Sequence, residues 1–369
     1  MKKNTSTNQL FFQPTFGNKP EQIVGRDGEL ATFINALKEP IGSRNRCSLI
    51  LGQRGMGKTA LLLEIAERAK KEGFITARVT AHENMPASII EQIQLNGSAL
   101  FKEPKTHFSG FNAGALGFSF GLTFSESTMQ QFGFRAKLSL LCDKLAEKGK
   151  GILILIDEIH TSPAMREVAA SYQELVGDQK NIAMVMAGLP QAVSEVLNDK
   201  VLTFLNRANK VYLDPISINS ITAYYDLAFR SLNIECSEDL ISKAALKTLG
   251  LPYLMQLIGY YLTLYSQNTS KINENTLKKA ATAAINDMED NVFKPTIAPL
   301  SDKDRDFIKA MAKCDEPVTT AKLIEVLGWK KEALQPYRKR LINSGIIESP
   351  RRGELIFAIP FLAEYINKQ

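Results

Sequence analysis

The stretch that decides the fold is Cys47–Glu64, which reads CSLILGQRGMGKTALLLE. A short apolar run over 48–51 is followed by a glycine-rich loop and then by the apolar spacing of a helix. Strand, G-x-x-x-x-G-K-[ST] and helix, in this order, is the setting in which the motif forms a phosphate-binding P-loop. The glycines let successive backbone N–H groups point at one phosphate chain, and the helix N-terminus adds partial positive charge. We therefore predict that the chain binds a nucleoside triphosphate.

The loop itself supplies the candidate nucleotide-binding residues. Lys58 is expected to reach the β- and γ-phosphates, and the Thr59 hydroxyl is expected to ligate Mg²⁺. The whole predicted phosphate-binding set is Gly52, Gln53, Arg54, Gly55, Met56, Gly57, Lys58, Thr59 and Ala60.

A second motif lies at the end of an aliphatic run over 152–156. Such a run is typical of a parallel strand that is buried on both faces. It ends in two adjacent carboxylates, Asp157 and Glu158, and ligands of open α/β sheets bind at this end of the strands. We predict that Asp157 holds the Mg²⁺ shell and that Glu158 orients and deprotonates the attacking water. Together with the P-loop, the pair favours nucleotide hydrolysis.

Composition limits the broad class of the protein. The chain has 369 residues, 44% of them hydrophobic and 23% charged, which is ordinary for a soluble globular protein of two or three domains. No apolar run approaches the ~18 residues of a membrane span, and the N-terminus lacks the apolar core of a secretory signal. The four cysteines are scattered without C-x-x-C spacing, which fits a reducing compartment. We expect a cytoplasmic protein that does not contact a membrane.

The order of predicted elements indicates how the chain is organised. Strands alternate with helices in the first half, and a run of helices follows. A stretch with two prolines, 291–299, is interpreted as a linker. The predicted parts are an N-terminal arm at 1–20, an α/β core at 21–215, a helical lid at 216–290 and a further domain at 300–369.

An unusual insert occupies residues 105–127 of the core. Phenylalanines alternate there with glycine and serine, and the alternation is nearly strict from Leu116 to Phe124. This pattern predicts a β-hairpin. The hairpin either packs its phenylalanines on the core or contacts a protein partner or a second copy of the chain; its low charge favours a protein surface over phosphate.

The C-terminal part has the order helix, helix, helix, strand, turn, strand, which is that of a winged helix. Its third helix and its turn are rich in basic residues. In DNA-binding examples the third helix enters the major groove and the wing contacts phosphates, so double-stranded DNA is the predicted partner and a protein-interaction module is the alternative. The candidate DNA contacts are Lys330, Lys331, Arg338, Lys339, Arg340, Arg351 and Arg352.

Taken together, the motifs resemble the AAA+ ATPases of the origin-recognition-complex and initiator-like group, the archaeal type with a C-terminal winged helix. The resemblance rests on the VGRD turn at 24–27, the P-loop, Asp157-Glu158, an arginine before the last core strand and the winged-helix order. It covers nearly the whole chain apart from the insert at 105–127. It implies an α/β fold with a P-loop parallel-sheet core, a helical lid and a winged-helix domain, and it implies ATP as the nucleotide.

The resemblance also assigns individual roles. In this family the segment before the P-loop lines the adenine pocket, so Val24 and Gly25 are candidate base contacts. Arg207 is the candidate arginine finger, which would reach the γ-phosphate of a neighbouring subunit in a homo-oligomer. The two usual sensor positions hold Ala187–Gly188 and Tyr253 in place of a polar residue and an arginine. The resemblance therefore implies slow hydrolysis.

Two functions stay open on this evidence. One is an ATPase that couples its nucleotide state to DNA binding or assembly through the winged helix. The other is a nucleotide-dependent signalling switch of the STAND type that acts on a protein partner, which the missing sensors and the GLPY sequence at 250–253 favour. A helicase, suggested by the DEIH string at 157–160, would need a second RecA-like domain, for which the residues after 215 offer no motif.

Overall fold

The computed structural model describes residues 11–14, 20–101 and 132–369. The predicted hairpin at 105–127 lies outside these residues. The chain divides into two compact units, which we call the sheet unit and the lid–wing unit. The sheet unit consists of Asp27–Leu51 and Leu61–Tyr212, and the lid–wing unit consists of Met1–Arg26, Gly52–Ala60 and Leu213–Gln369.

Five parallel strands form the centre of the sheet unit. They are β1 (Cys47–Leu51), β2 (Phe74–Thr80), β3 (Gly151–Asp157), β4 (Ile182–Gly188) and β5 (Asn209–Tyr212), in the spatial order β2-β3-β4-β1-β5. Every residue of β1, β3 and β4 is buried, as the aliphatic composition of these strands requires. Because Leu51 pairs with Gly188 and Ile156 pairs with Met186, the carboxyl ends of β1, β3 and β4 lie at one edge of the sheet.

Helices at 85–97, 134–146, 163–177 and 190–197 share an apolar core with the sheet. Local sequence explains where they start: Pro163 opens its helix in the first turn, and the Ser162 side chain accepts a hydrogen bond from the Met165 N–H, as helix-capping residues do. The helices are α1 (Asp27–Ala36), α2 (Lys58–Lys71), α3 (Met85–Gly97), α4 (Phe134–Ala146), α5 (Pro163–Gly177) and α6 (Pro190–Leu197).

The lid of the lid–wing unit is a group of four helices, three of which have polar N-caps. Ser217, Ser237 and Asn273 each accept a hydrogen bond from a backbone N–H three residues further on, which satisfies groups that the helix leaves without partners. The helices are α7 (Ile218–Ser231), α8 (Glu238–Lys247), α9 (Pro252–Ser266) and α10 (Glu274–Met288).

A short N-terminal segment is anchored in the lid. The Phe12 side chain is only 2% exposed, and a Cβ at Gly259 would overlap its ring. The Tyr224 hydroxyl donates a hydrogen bond to the Phe11 carbonyl at 2.6 Å, and the Gln13 N–H donates to Gln256 Oε1 at 2.8 Å. Aromatic residues of the N-terminal arm are therefore part of the lid core.

The interpretation of 291–299 as a linker is wrong. The chain continues from α10 through a π-helical turn, Glu289–Phe293, into α11 (Lys294–Ile297). Phe293 is fully buried, with its ring centroid 5.4 Å from that of Tyr365. Pro295 lies in the first turn of α11, where its missing N–H costs no helical hydrogen bond. The prolines therefore did not mark an extended segment.

The C-terminal domain has the predicted winged-helix order and two elements that were not predicted. β6 adds a third strand to an antiparallel sheet of order β6-β8-β7, and α15 closes the domain. The elements are α12 (Asp302–Ala312), β6 (Val318–Thr319), α13 (Thr320–Leu327), α14 (Lys331–Asn343), β7 (Ile347–Glu348), β8 (Glu354–Phe357) and α15 (Leu362–Asn367).

One apolar cluster runs through the lid and the winged helix without interruption. The predicted fold class, an α/β parallel-sheet core with a helical lid and a C-terminal winged helix, is confirmed. Among the described residues, no helix is both long enough and apolar enough to cross a membrane.

Candidate nucleotide-binding site

The P-loop follows directly from β1 and ends in the first turn of α2. Gly55 and Gly57 have φ angles of +79° and +80°, a left-handed conformation that favours glycine. The Lys58 ammonium donates hydrogen bonds to the carbonyls of Gly52 at 2.7 Å and Gln53 at 2.9 Å. The loop therefore closes around the side chain that was predicted to bind phosphate.

The loop is packed into the lid–wing unit. A Cβ at Gly57 would lie 3.5 Å from Cγ of Pro252, and a Cβ at Gly52 would lie 3.2 Å from Cβ of Leu213. Met56 packs against the apolar core of this unit. Two of the loop glycines thus leave room for close approach, and the lid touches the loop through the proline that starts α9.

The winged helix also contacts the loop. The Gln53 side-chain amide donates a hydrogen bond to Glu348 Oε2 at 2.5 Å, across 295 residues of sequence. Glu348 lies in β7, where it pairs with Ile356 of β8. Sequence reasoning missed this residue, because a glutamate in a short strand carries no motif that relates it to the P-loop.

The predicted base-contact segment belongs to the lid–wing unit as well. Val24 is buried. Gly25 has a φ of +65°, and a Cβ added to it would lie 2.8 Å from Cγ2 of Ile216. The buried Arg26 donates a hydrogen bond to the Asp214 carbonyl at 2.6 Å. The 24–26 turn is therefore fixed to the segment that leads into the lid.

The start of α9 is the second sensor position, where the resembling family has an arginine and this chain has Tyr253. The Gly250 carbonyl accepts a hydrogen bond from the Ile216 N–H at 2.8 Å, so the turn before the helix is joined to the same segment as Arg26. Burial raises the pKa of Tyr253 to about 12, and the nearby Asp287 adds to this rise. The Tyr253 hydroxyl is neutral at physiological pH, so it supplies no positive charge.

In the sheet unit, Asp157 and Glu158 lie at the carboxyl end of β3. Asp157 is buried, and its Oδ1 accepts a hydrogen bond from the Glu158 N–H at 2.9 Å. Glu158 is exposed and has a φ of +54°. Left-handed backbone at a residue other than glycine is uncommon and is concentrated at functional sites. The Ile159 N–H donates to the Ala187 carbonyl at 2.9 Å, which fixes the turn to β4.

The end of β4 is tightly packed at Gly188. A Cβ added there would lie 3.0 Å from Cγ1 of Ile159 and 3.3 Å from Cγ2 of Val193. Ala187, the preceding residue, is fully buried. The sheet unit therefore presents a carboxylate edge without a side-chain sensor on β4.

The remaining predicted catalytic residue, Arg207, ends a 3₁₀ turn, Thr203–Arg207, just before β5. Its side chain is exposed. In the described ranges 11–14, 20–101 and 132–369, no group of three or more His, Cys, Asp or Glu side chains could hold a metal ion.

The basic residues of the winged helix fall into two groups. Arg338 donates a hydrogen bond to the Ser349 hydroxyl at 2.9 Å, and Arg340 forms an ion pair with the buried Asp304 at 2.8 Å. Burial alone would raise the pKa of Asp304, but hydrogen bonds from Ser301 and Arg340 outweigh it and lower that pKa. Arg340 is exposed in spite of this ion pair. The second group consists of further exposed residues: Lys330, Lys331, Lys339, Arg351 and Arg352.

Residues 22–185 match the model of the AAA ATPase domain. An AAA ATPase domain implies ATP binding and hydrolysis. Residues 290–366 match a second family, described as a domain of unknown function, and that match begins at the π-helical turn rather than after it.

Solved structures resemble the chain over nearly its whole length. The Walker-type ATPase of Pyrococcus abyssi superposes with a TM-score of 0.63 at 16% identity, covering 95% of this chain and 97% of that one. The ORC2 protein of Aeropyrum pernix, in its ADPNP-ADP complexes, gives a TM-score of 0.62 at 13% identity, covering 98% and 96%. These likenesses show a shared fold. Among curated proteins, no sequence matches this chain.

Proposed function

We propose that the protein binds ATP, hydrolyses it slowly and couples its nucleotide state to DNA binding or assembly through the winged helix. One observation carries the nucleotide part. The P-loop begins where β1 ends, and Asp157 ends β3 at the same edge of a parallel sheet, with only β4 between them. Ligands of such sheets bind at this edge. The proposed parts are a core at 21–215, a lid at 216–290 and a winged-helix domain at 300–369.

In this proposal the nucleotide is held by residues of the lid–wing unit. The base lies against Val24 and Gly25, and the phosphates lie on the backbone of Gly52 to Ala60. Lys58, which already donates to the loop carbonyls, exchanges part of this bonding for phosphate oxygens. Support comes from the 24–26 turn, in which Val24 and Arg26 are buried and Arg26 is bonded to the segment before the lid.

Turnover in this proposal depends on the edge of β3. Thr59 and Asp157 offer hard oxygen ligands to Mg²⁺, which, when bound, neutralises developing charge on the phosphates. Glu158 orients the attacking water and accepts its proton. The exposed Glu158 carboxylate and its left-handed backbone support this role.

Slow turnover follows from the side chains at the two usual sensor positions. Ala187 and Gly188 present no polar side chain, and Tyr253 is a neutral phenol at the position of the expected cation. Arg207 is the remaining candidate for charge stabilisation, and its exposed position suits action on a neighbouring copy. We therefore include a homo-oligomer in the proposal.

The DNA part of the proposal is carried by the exposed basic residues of the winged helix. Lys330, Lys331 and Lys339 belong to α14 and the residue before it, and Arg351 and Arg352 belong to the turn between β7 and β8. Cations in these places suit the major groove and the flanking phosphates of duplex DNA. Arg338 and Arg340 contribute less, because both have partners within the domain.

A signalling switch of the STAND type is the second candidate, and the packing of the lid on the P-loop favours it. Pro252 starts α9 and contacts the loop at Gly57. In the resembling family the start of this helix supplies a cation instead. Because the lid contacts the loop through packing, a change in the loop on nucleotide exchange would move the lid. Such coupling suits a protein that changes conformation with its nucleotide. Its output would be a protein partner instead of DNA.

The steady-state ATPase rate, measured with and without duplex DNA at two salt concentrations, tests the proposal. We expect measurable turnover that changes on addition of DNA, and an effect of DNA that weakens at the higher salt concentration. Turnover without any DNA affinity, together with a stable protein partner in pull-down experiments, would favour the signalling switch. Absence of nucleotide binding would overturn both candidates.

A further inference from the structure

The contact between the winged helix and the P-loop places a carboxylate next to the phosphate-binding loop. Lys58 Nζ donates to the Gln53 carbonyl at 2.9 Å, and the Gln53 side chain donates to Glu348 Oε2 at 2.5 Å. One residue of the loop thus touches the phosphate lysine through its backbone and the winged helix through its side chain.

Glu348 is held firmly in this place by its strand. Its neighbour Ile347 is buried, and the pair Ile347–Glu348 forms antiparallel contacts with Phe357 and Ile356 of β8. The following residue, Ser349, accepts a hydrogen bond from Arg338 of α14. The carboxylate therefore moves with the winged-helix domain, and a shift of that domain would carry it away from Gln53.

We propose that Glu348 is a positioning residue of the nucleotide site, contributed by the winged helix, that favours a bound diphosphate over a triphosphate. This inference rests on the proposed nucleotide function. A fixed negative charge beside the loop repels a bound nucleotide in proportion to the nucleotide's own negative charge. Because the γ-phosphate adds negative charge, a triphosphate is repelled more strongly than a diphosphate. Glu348 acts through Gln53 and through its field, and it takes no part in the chemistry.

Reciprocity gives the contact a regulatory consequence. If Glu348 weakens triphosphate binding, then bound triphosphate weakens the contact of Glu348 with Gln53 by the same factor. The diphosphate state holds β7 on the P-loop, and the triphosphate state releases it. The position of the winged helix therefore depends on the γ-phosphate without a dedicated sensor residue.

The test uses the full chain and compares the dissociation constants of ADP and a non-hydrolysable ATP analogue for the wild type and Glu348→Gln. Glutamine keeps an oxygen that accepts from Gln53 but removes the charge. We expect the affinity for the triphosphate relative to the diphosphate to rise by about three- to tenfold. The rise should shrink at high salt, because the effect is electrostatic.

Glu354→Gln is the matched control. It makes the same charge change in β8, where the backbone of Glu354 pairs with Thr319 and bonds to Ser349 and Arg351. Its diphosphate-to-triphosphate preference should equal that of the wild type. Glu348→Ala, which removes the charge and the acceptor, should change the preference in the same direction as Glu348→Gln and serves if the glutamine variant does not fold.

Three results are distinguishable. An unchanged preference in folded Glu348→Gln and Glu348→Ala, with nucleotide still bound, overturns the role of Glu348 alone. An equal shift in Glu354→Gln also overturns it, because the effect would then be a general change in charge. A wild-type protein that binds neither nucleotide overturns the proposed function itself.

Discussion

The P-loop and the carboxylate edge of β3 differ in what surrounds them. The loop is contacted by Leu213, Pro252 and Glu348, all from the C-terminal half of the chain. The carboxylate edge is held within the sheet unit: the Asp157 carbonyl accepts from the Ala81 N–H, and the turn after it is bonded to Ala187. The proposed nucleotide-binding loop is thus open to influence from the lid and the winged helix, whereas the backbone of Glu158, the proposed base, is fixed by the sheet. Mutations should therefore separate binding from turnover.

The largest expected effect is on turnover at the carboxylate edge. Glu158→Gln should lower the ATPase rate by about 10²- to 10⁴-fold, because the amide cannot accept the proton of the attacking water. ATP affinity should be unchanged. Rate and affinity are measured on the same preparation, with Glu167→Gln in α5 as a control that should keep the wild-type rate. A normal rate in Glu158→Gln would remove this residue from the catalytic role.

On the P-loop side the expected loss is in binding. Lys58→Ala should weaken ATP binding by about 100-fold, since charge-assisted hydrogen bonds to phosphate are lost. Turnover should disappear with it. Isothermal titration with ATP provides the measurement, and Lys70→Ala, at an exposed position near the end of the same helix, should bind as the wild type does. Unchanged affinity in Lys58→Ala would contradict the assignment of the loop.

A smaller loss of turnover is expected for Arg207→Ala. The ATPase rate should fall by about tenfold or more, and ATP binding should be preserved. If the arginine acts on a neighbouring copy, mixing this variant with Lys58→Ala should restore part of the rate, because each protein then supplies what the other lacks. The ATPase rate is measured across mixing ratios. Equal rates in the mixture and in the separate variants would argue against action between subunits.

A smaller effect is expected at the wing. The double variant Arg351→Ala/Arg352→Ala should weaken duplex binding by about five- to tenfold near 0.1 M salt and reduce the slope of log affinity against log salt by about two. Fluorescence anisotropy measures both quantities. The control is Lys278→Ala/Lys279→Ala, which removes two exposed charges from α10 of the lid. An equal loss in both double variants would indicate a general effect of net charge.

The smallest effect is on stability. Asp304 has a lowered pKa in the folded state, so its stabilising contribution is present above its unfolded pKa of about 3.9 and is lost as pH falls through the lower folded value. Arg340→Ala should lower the free energy of unfolding at pH 7 by about 1–3 kcal/mol and flatten its dependence on acidic pH. Denaturant unfolding between pH 3 and pH 7 measures this, with Lys339→Ala as control. A DNA-binding loss without a stability loss would instead make Arg340 a DNA contact.

Sequence reasoning predicted regular elements where local signals were strong. Such signals mark the strand Phe74–Thr80 and the helices Pro252–Ser266 and Glu274–Met288, which have β-branched residues, a proline start and a polar cap respectively. The P-loop and the aliphatic strand before Asp157 were equally clear. These features depend on residues that are close together in the chain, and so the sequence displays them directly.

The errors and omissions arose where packing between distant residues decides the structure. Prolines at 295 and 299 suggested a linker, but burial of Phe293 against Tyr365 holds the segment in a helix. The two residues of β6 are a strand only because β8 pairs with them. Gln53 and Glu348 each look ordinary in sequence, and their contact exists only in the folded chain.

If the nucleotide state governs the winged helix, the duplex DNA affinity of Glu158→Gln should differ between ADP and ATP. This variant should hold ATP without consuming it. We expect affinities that differ by about fivefold or more between the two nucleotides, which corresponds to a coupling of at least about 1 kcal/mol. Equal affinities with both nucleotides bound would contradict it.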